Sequence, residues 1–239
     1  MPLLRAPAKL TLSLRVTGVR DDGYHLIDAE MVSLDLHDEL ELDPDGAELV
    51  AEAADGTRTP LADDDLVRRA VGLLDRPVGV VLRKRIPAGA GLGGGSSDAA
   101  AVLRWAGIED VHAAAALGAD VPFCLRGGRA RVRGIGEELE ELPFEARVLT
   151  LLTPPLHCST PVVYRTWDRM GGPRGDHGND LEPAAVEAYP ELATWRDELA
   201  DAAGVLPRLA GSGATWFVEG ELPGPGRVVV RATPATPVG

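Results

Sequence analysis

One stretch restricts the fold of this chain more than any other. The apolar run "VGVVLRKR" leads into "IPAGAGLGGGSSDAA", which runs on into "SSDAAAVLRWAG". The first segment reads as a strand and the last as a helix, so the glycines form a strand–loop–helix junction. A flexible spacer would lie in polar, low-complexity sequence, and these flanks are apolar and alanine-rich. A loop entering a helix N-terminus offers free N–H groups and the positive end of the helix dipole, which suits a phosphate. Glycines let the backbone approach closely and take positive φ. Ser96 and Ser97 are placed to cap the helix or to donate a hydroxyl. A Walker A loop needs Gly-Lys-Ser/Thr at its end, and here Gly95 precedes Ser96 with no lysine in the stretch. Gly89, Gly91 and Gly94 match the dinucleotide fingerprint G-x-G-x-x-G, with Glu109 twenty residues beyond Gly89. That acid should end the next strand of a βαβ unit, whereas Glu109 opens a short helical run.

The chain has 239 residues and a formal net charge of -13, which excludes long-range attraction to nucleic acid or an anionic membrane. Much of the acid lies in Asp35–Asp65, which reads as a solvated face. Two cysteines, Cys124 and Cys158, allow no disulfide framework and point to a reduced, cytoplasmic protein. The opening apolar run is broken by Arg5, Lys9 and Arg15 and does not read as a signal peptide, and no apolar stretch is long enough to span a bilayer. Lys9 and Lys84 are the only lysines.

"KLTLSLRVTG" alternates, which predicts a strand with Leu10, Leu12, Leu14 and Val16 on one face and Lys9, Thr11, Ser13 and Arg15 on the other. "SLDLHDELEL" predicts a second strand with Leu34, Leu36, Leu40 and Leu42 inward. Helices are expected in "DDLVRRAVGLLD", "IEDVHAAAALGAD", "TPVVYRTWDRM" and "PELATWRDELADAAG", and strands in "RGGRARVRGIG", "RVLTLLTP", "ATWFVEG" and "GRVVVRATP". "GGPRGDHG", 171–178, reads as a loop and a possible boundary. The order lacks regular βαβα alternation, so the fold class is α+β in two lobes.

The glycine stretch closely resembles the phosphate-binding loop of the GHMP kinase superfamily, which includes galactokinase and the homoserine, mevalonate and phosphomevalonate kinases. Three further segments resemble that superfamily in the same order: "APAKLTLSLRVTGVRDDGYHLIDAEM", "LGADVPFCLRGGRARVRGIGEE" and "LAGSGATWFV". The longer form of the loop most resembles the branch that acts on a cytidine-diphosphate-linked sugar alcohol in the non-mevalonate route to isoprenoids. The resemblance implies a ribosomal-protein-S5-like α/β lobe, 1–145, and a ferredoxin-like α+β lobe, 146–239. It implies transfer of the γ-phosphoryl of ATP to a 2-hydroxyl, with Mg²⁺ carried by the phosphates and no direct protein ligand for the metal. Lys9 and Asp120 are the implied catalytic pair, within hydrogen-bond reach of one another or of the hydroxyl. The ATP site is implied to comprise Pro87, Ala88, Gly89, Ala90, Gly91, Leu92, Gly93, Gly94, Gly95, Ser96 and Ser97, with Asp65 near the base. Thr11, Tyr24, His25, Gly211, Ser212 and Gly213 are the implied substrate residues, with Tyr24 stacking on the base and His25 bonding its edge.

The resemblance also has departures. The family has asparagine where this chain has Thr11 and Asp65, and a hydroxyl or an ionised carboxylate offers fewer donors than an amide. It brings a second aromatic from the loop 171–178, where this chain offers only His177. The segment between Asp98 and Gly118 is shorter by about ten residues than the resemblance implies. A kinase of another small alcohol and a nucleotide-binding paralogue without catalysis are the alternatives, and the partner set is ATP and a small molecule. Arg126, Arg129, Arg131 and Arg133 read as a solvated strand face. Either a monomer or a homodimer fits.

Overall fold

The computed structural model describes residues 1–235. Two long strands, β1 (Leu3–Val19) and β2 (His25–Asp43), pair antiparallel along their length and form the backbone of the molecule. The free edge of β2 is then shared out. It takes β6 (Arg129–Gly134) beside Ile27–Val32, β11 (Arg227–Thr233) beside Ser33 and Leu34, and β5 (Gly79–Arg83) beside Glu39–Asp43. Beyond β5 lie β3 (Leu49–Glu52), parallel to it, and β4 (Arg58–Pro60) at the edge. β7 (Glu138–Glu141) pairs with β6. β11 also pairs with β8 (Val148–Leu152), which continues through β10 (Trp216–Glu219) to β9 (Arg208–Leu209). Among the described residues β11 therefore ties both halves of the chain into one sheet of eleven strands, with parallel and antiparallel pairs, in an α+β fold.

The helices are α1 (Leu66–Val71), α2 (Gly94–Trp105), α3 (Val111–Leu117), α4 (Val121–Arg126), α5 (Thr160–Arg169), α6 (Glu182–Ala188) and α7 (Glu191–Ala203). Two of them, α4 and α6, were not expected from sequence. Pro122 and Pro183 sit in their first turns, where a missing N–H costs nothing.

The strict alternation expected of β1 is broken. Its register against β2 shifts between Thr11 and Ser13, leaving Leu12 as an extra residue. A bulge moves every later side chain to the opposite face. Leu10 and Leu12 therefore pack in one apolar cluster with Val32, Leu34 and Phe217. Leu14 and Val16 join a second, larger cluster with Ile27, Met31 and α2. Lys9 and Thr11, expected on the polar face, are buried. β2 splits in the same way, with Leu34 in the first cluster and Leu40 and Leu42 in the second.

The segment 171–178 is not a linker. Leu14 N donates to Gly178 O at 2.8 Å, and Arg15 reaches both Gly175 O and Asp180. Asp180 also accepts from Val16 N, so this segment is docked on β1.

Candidate active site

The glycine loop is pinned from below. Ile86, Ala90 and Leu92 are buried in the first cluster against β8 and β10, each burial of a large side chain contributing roughly 2 kcal/mol. The carbonyl of Leu92 accepts from Lys9 N at 2.9 Å, and that of Ala90 accepts from the Thr215 hydroxyl at 2.7 Å. The loop thus turns its apolar side chains inward and leaves backbone facing out. Gly93 takes φ 67° as the N-cap of α2 with no side-chain cap, so the first N–H groups of that helix are left for a ligand. A Cβ on Gly93 would lie 2.6 Å from Lys9 Cγ, so only glycine fits the approach of loop to lysine.

Lys9 Nζ stands 3.2 Å from Asp120 Oδ2 and donates to Thr11 Oγ1 at 3.2 Å. Asp120 precedes α4 but does not cap it, so its carboxylate is held by Lys9 rather than by helix N–H groups. A cavity of about 540 Å³ contains Lys9, Thr11, Asp120 and Ser96 at one end. Tyr24, His25 and Tyr164 line it as well, with Gly211 and Ser212. The His25 ring lies 4.5 Å from that of Tyr164 and 5.6 Å, edge-on, from that of Trp167. Its Nε2 is 2.8 Å from Asp168 Oδ1. The cavity thus joins a lysine–carboxylate pair beside the glycine loop to a cluster of aromatic rings.

The chain is similar to known proteins in sequence and in fold. Residues 64–128 match the model of the GHMP kinase N-terminal domain. The 4-diphosphocytidyl-2-C-methyl-D-erythritol kinase of Pelotomaculum thermopropionicum is 40% identical, over 89% of this chain and 86% of its own. The enzyme of that name from Paracoccus denitrificans is also 40% identical, over 91% of this chain and 87% of its own. The chain belongs to the 4-diphosphocytidyl-2-C-methyl-D-erythritol kinase family. A crystal structure of a 4-(cytidine 5'-diphospho)-2C-methyl-D-erythritol kinase superposes with a TM-score of 0.77 at 30% identity, covering 97% of this chain and 99% of that one. A mevalonate kinase shares the fold at 12% identity, with a TM-score of 0.61 and coverage of 99% and 100%.

Within this family frame, the residues named from sequence divide by what they touch. Ser97 is buried and its hydroxyl donates to Pro7 O at 2.6 Å, whereas Ser96 opens to the cavity. Ala90 and Leu92 offer a ligand backbone only. Asp65 caps α1, accepting from Val67 N at 2.8 Å, and the adjacent Leu66 reaches Gly95. Gly211 lies against Thr11 and Lys9, while Gly213 packs on Gly91 and Cys158 and does not line the cavity. Tyr24 is exposed at the mouth, beside Arg20. His177 is exposed and does not line the cavity, whereas Tyr164 on α5 does.

Burial pushes the Tyr164 hydroxyl and the Cys124 thiol well above their ordinary ranges, and the charge of Asp120 adds to both. Cys158 is pushed up to about 11, chiefly by burial. Neither cysteine is placed to act as a thiolate. Arg129, Arg131 and Arg133 pair with Glu30, Asp28 and Glu140 on the outer face of β6. Among the described residues no three His, Cys, Asp or Glu side chains gather as a metal site, and no helix is long and apolar enough to cross a membrane.

Proposed function

We propose that this chain transfers the γ-phosphoryl of ATP to the 2-hydroxyl of 4-diphosphocytidyl-2-C-methyl-D-erythritol. The observation that carries the reading is one cavity lined by Lys9 and Asp120, 3.2 Å apart beside the glycine loop, and by an aromatic cluster. The family supplies the substrate class, and the cavity supplies matching chemistry: rings for a base, cations and N–H groups for phosphates.

The 2-hydroxyl lies between Asp120 and the γ-phosphorus. Its oxygen forms the new P–O bond as the bond from the γ-phosphorus to the bridging oxygen breaks and ADP departs. Asp120 orients the hydroxyl and accepts its proton, and its partly exposed carboxylate returns that proton to water. Lys9, held by Asp120 and Thr11, lies on the oxygen as charge develops and on the transferring phosphoryl group. The backbone of 87–97 cradles the phosphates, with the Ser96 hydroxyl available to them. Mg²⁺ would enter with the ATP phosphates and offset their charge. Tyr24, His25 and Tyr164 hold the cytosine. The division into lobes at 145/146 belongs to the same proposal, supported by the ladder of β8, β10 and β9, which meets the earlier strands only through β11. Free buried thiols fit the cytoplasm.

ADP release with ATP, Mg²⁺ and the cytidine-diphosphate substrate tests this reading. Turnover by the wild type that collapses in Asp120→Asn is the expected result. ATP binding by a folded protein with no turnover would return the search to other alcohols.

A further inference from the structure

Helix α5 surrounds one imidazole with three side chains. Tyr164, Trp167 and Asp168 stand at i, i+3 and i+4, which is a single helix face. All three meet His25: Tyr164 on the ring face, Trp167 at its edge and Asp168 at Nε2, 2.8 Å away. The His25 side chain is only 10% exposed, so its ring is fixed in tilt and in rotation.

An ionised carboxylate only accepts, so Nε2 is the nitrogen that carries the proton. In a neutral imidazole the other nitrogen is then a bare acceptor. Among the described residues Nδ1 has no hydrogen-bond partner, although the ring lines the cavity. Cytosine and uracil have the same outline and stack alike. They differ at position 4, where cytosine carries an amino donor and uracil a carbonyl acceptor. An acceptor facing that position bonds cytosine and meets uracil lone pair to lone pair.

We propose that Asp168 sets the base specificity of the cleft by holding His25 in its Nε2–H form, so that Nδ1 accepts from the 4-amino group of cytosine. The inference rests on the kinase reading given above. Asp168 is a positioning residue that acts through His25. Its own side chain is 48% exposed, so its hydrogen bond to His25 adds little to stability and its removal leaves the fold intact.

The tautomer is read by nitrogen NMR of the unliganded protein at pH 8, with His25→Gln assigning the signal among the five histidines. Wild type should show Nε2–H, Asp168→Asn should keep it because the amide oxygen still accepts, and Asp168→Ala should give a mixture. In kinetics, Asp168→Ala should raise KM for the cytidine-diphosphate substrate about five- to tenfold with kcat nearly unchanged. Its preference over the uridine-diphosphate analogue should fall by a similar factor, and Asp168→Asn should restore most of it. An Nδ1–H form in the wild type, or an alanine variant with unaltered KM and base preference, overturns the inference alone. A wild type that turns over neither substrate removes the kinase reading and this inference with it.

Discussion

Lys9 and Lys84 are the only lysines among 24 basic residues, and both meet carboxylates beside the glycine loop. Lys9 has one, Asp120, whose side chain is 32% exposed and faces the cavity. Lys84 lies between Asp38 and Asp98, both essentially without exposure. Asp38 also accepts from the backbone N–H of Arg85 and of Ile86, so the second cluster ties β2, the end of β5 and α2 together at the root of the loop. Lys84 donates to both carboxylates there, so its charge is held between two buried anions at the root of the loop. On the function proposed above, the same two functional groups serve catalysis where the carboxylate opens to the cavity and architecture where the carboxylates are buried. Burial and the number of partners make the difference, not residue type.

The comparison breaks most sharply at the open pair. Asp120→Asn should lower kcat about a thousandfold, since it removes the proton acceptor and the charge that holds Lys9. Thermal unfolding should change little, because Lys9 keeps Thr11 and Asp120 is partly exposed. A large loss of stability with activity retained would reverse the roles assigned to the two clusters.

Lys84→Met should do the opposite. It leaves two buried carboxylates without a counter-charge, which costs about 3 kcal/mol of folding stability. Denaturant titration should show the midpoint moving down with the slope unchanged. A variant of wild-type stability would mean that the triad does not hold the loop root.

The loop itself gives a third and smaller test, because it touches both lysines. A Cβ on Gly93 would press on Lys9 Cγ, and φ of 67° is strained for any L side chain. Gly93→Ala should therefore lower kcat about a hundredfold by displacing Lys9, with a lesser effect on KM for ATP. Gly94 lies on the other side, where a Cβ would meet Lys84 Nζ at 3.0 Å. An alanine at 93 that leaves kcat intact would separate the loop from the open pair.

These effects show which features could be read from the residues in order. The loop and Lys9 stood out locally, because glycine marks close backbone approach and lysine is rare in this chain, whereas Asp120 was named only through the family resemblance. The faces of β1 were not legible, since one extra residue at Leu12 reverses everything after it, and the sequence Thr-Leu-Ser carries no mark of a bulge. The α5 face was visible as a periodic pattern, yet Tyr164, Trp167 and Asp168 look like any amphipathic helix until His25, far away in sequence, is placed against them. Lys84 drew notice as a rare residue, but its partners Asp38 and Asp98 come from separate elements and only the fold brings them together.

The closed cluster also sharpens the comparison through pH. The Asp98 carboxyl is pushed up to about 7, first by burial and also by the neighbouring charge of Asp38, with Lys84 opposing both. Its Oδ1 makes no hydrogen bond, so nothing on that side stabilises the anion. In the unfolded chain the same acid titrates near 3.8. Between those values the folded state holds a proton that the unfolded state has given up, so stability is greatest at the acid side of the window and falls as pH rises toward 7. One proton sets a ceiling of about 1.4 kcal/mol per pH unit on that slope. Asp98→Asn cannot titrate and keeps an oxygen for Lys84, so its melting temperature should be flatter between pH 4.5 and 7, measured against wild type in the same buffers. Parallel curves for the two proteins would assign the pH dependence to groups outside the triad, and a wild type that gains stability across the window relative to Asp98→Asn would mean that Lys84 outweighs burial in setting the charge of Asp98.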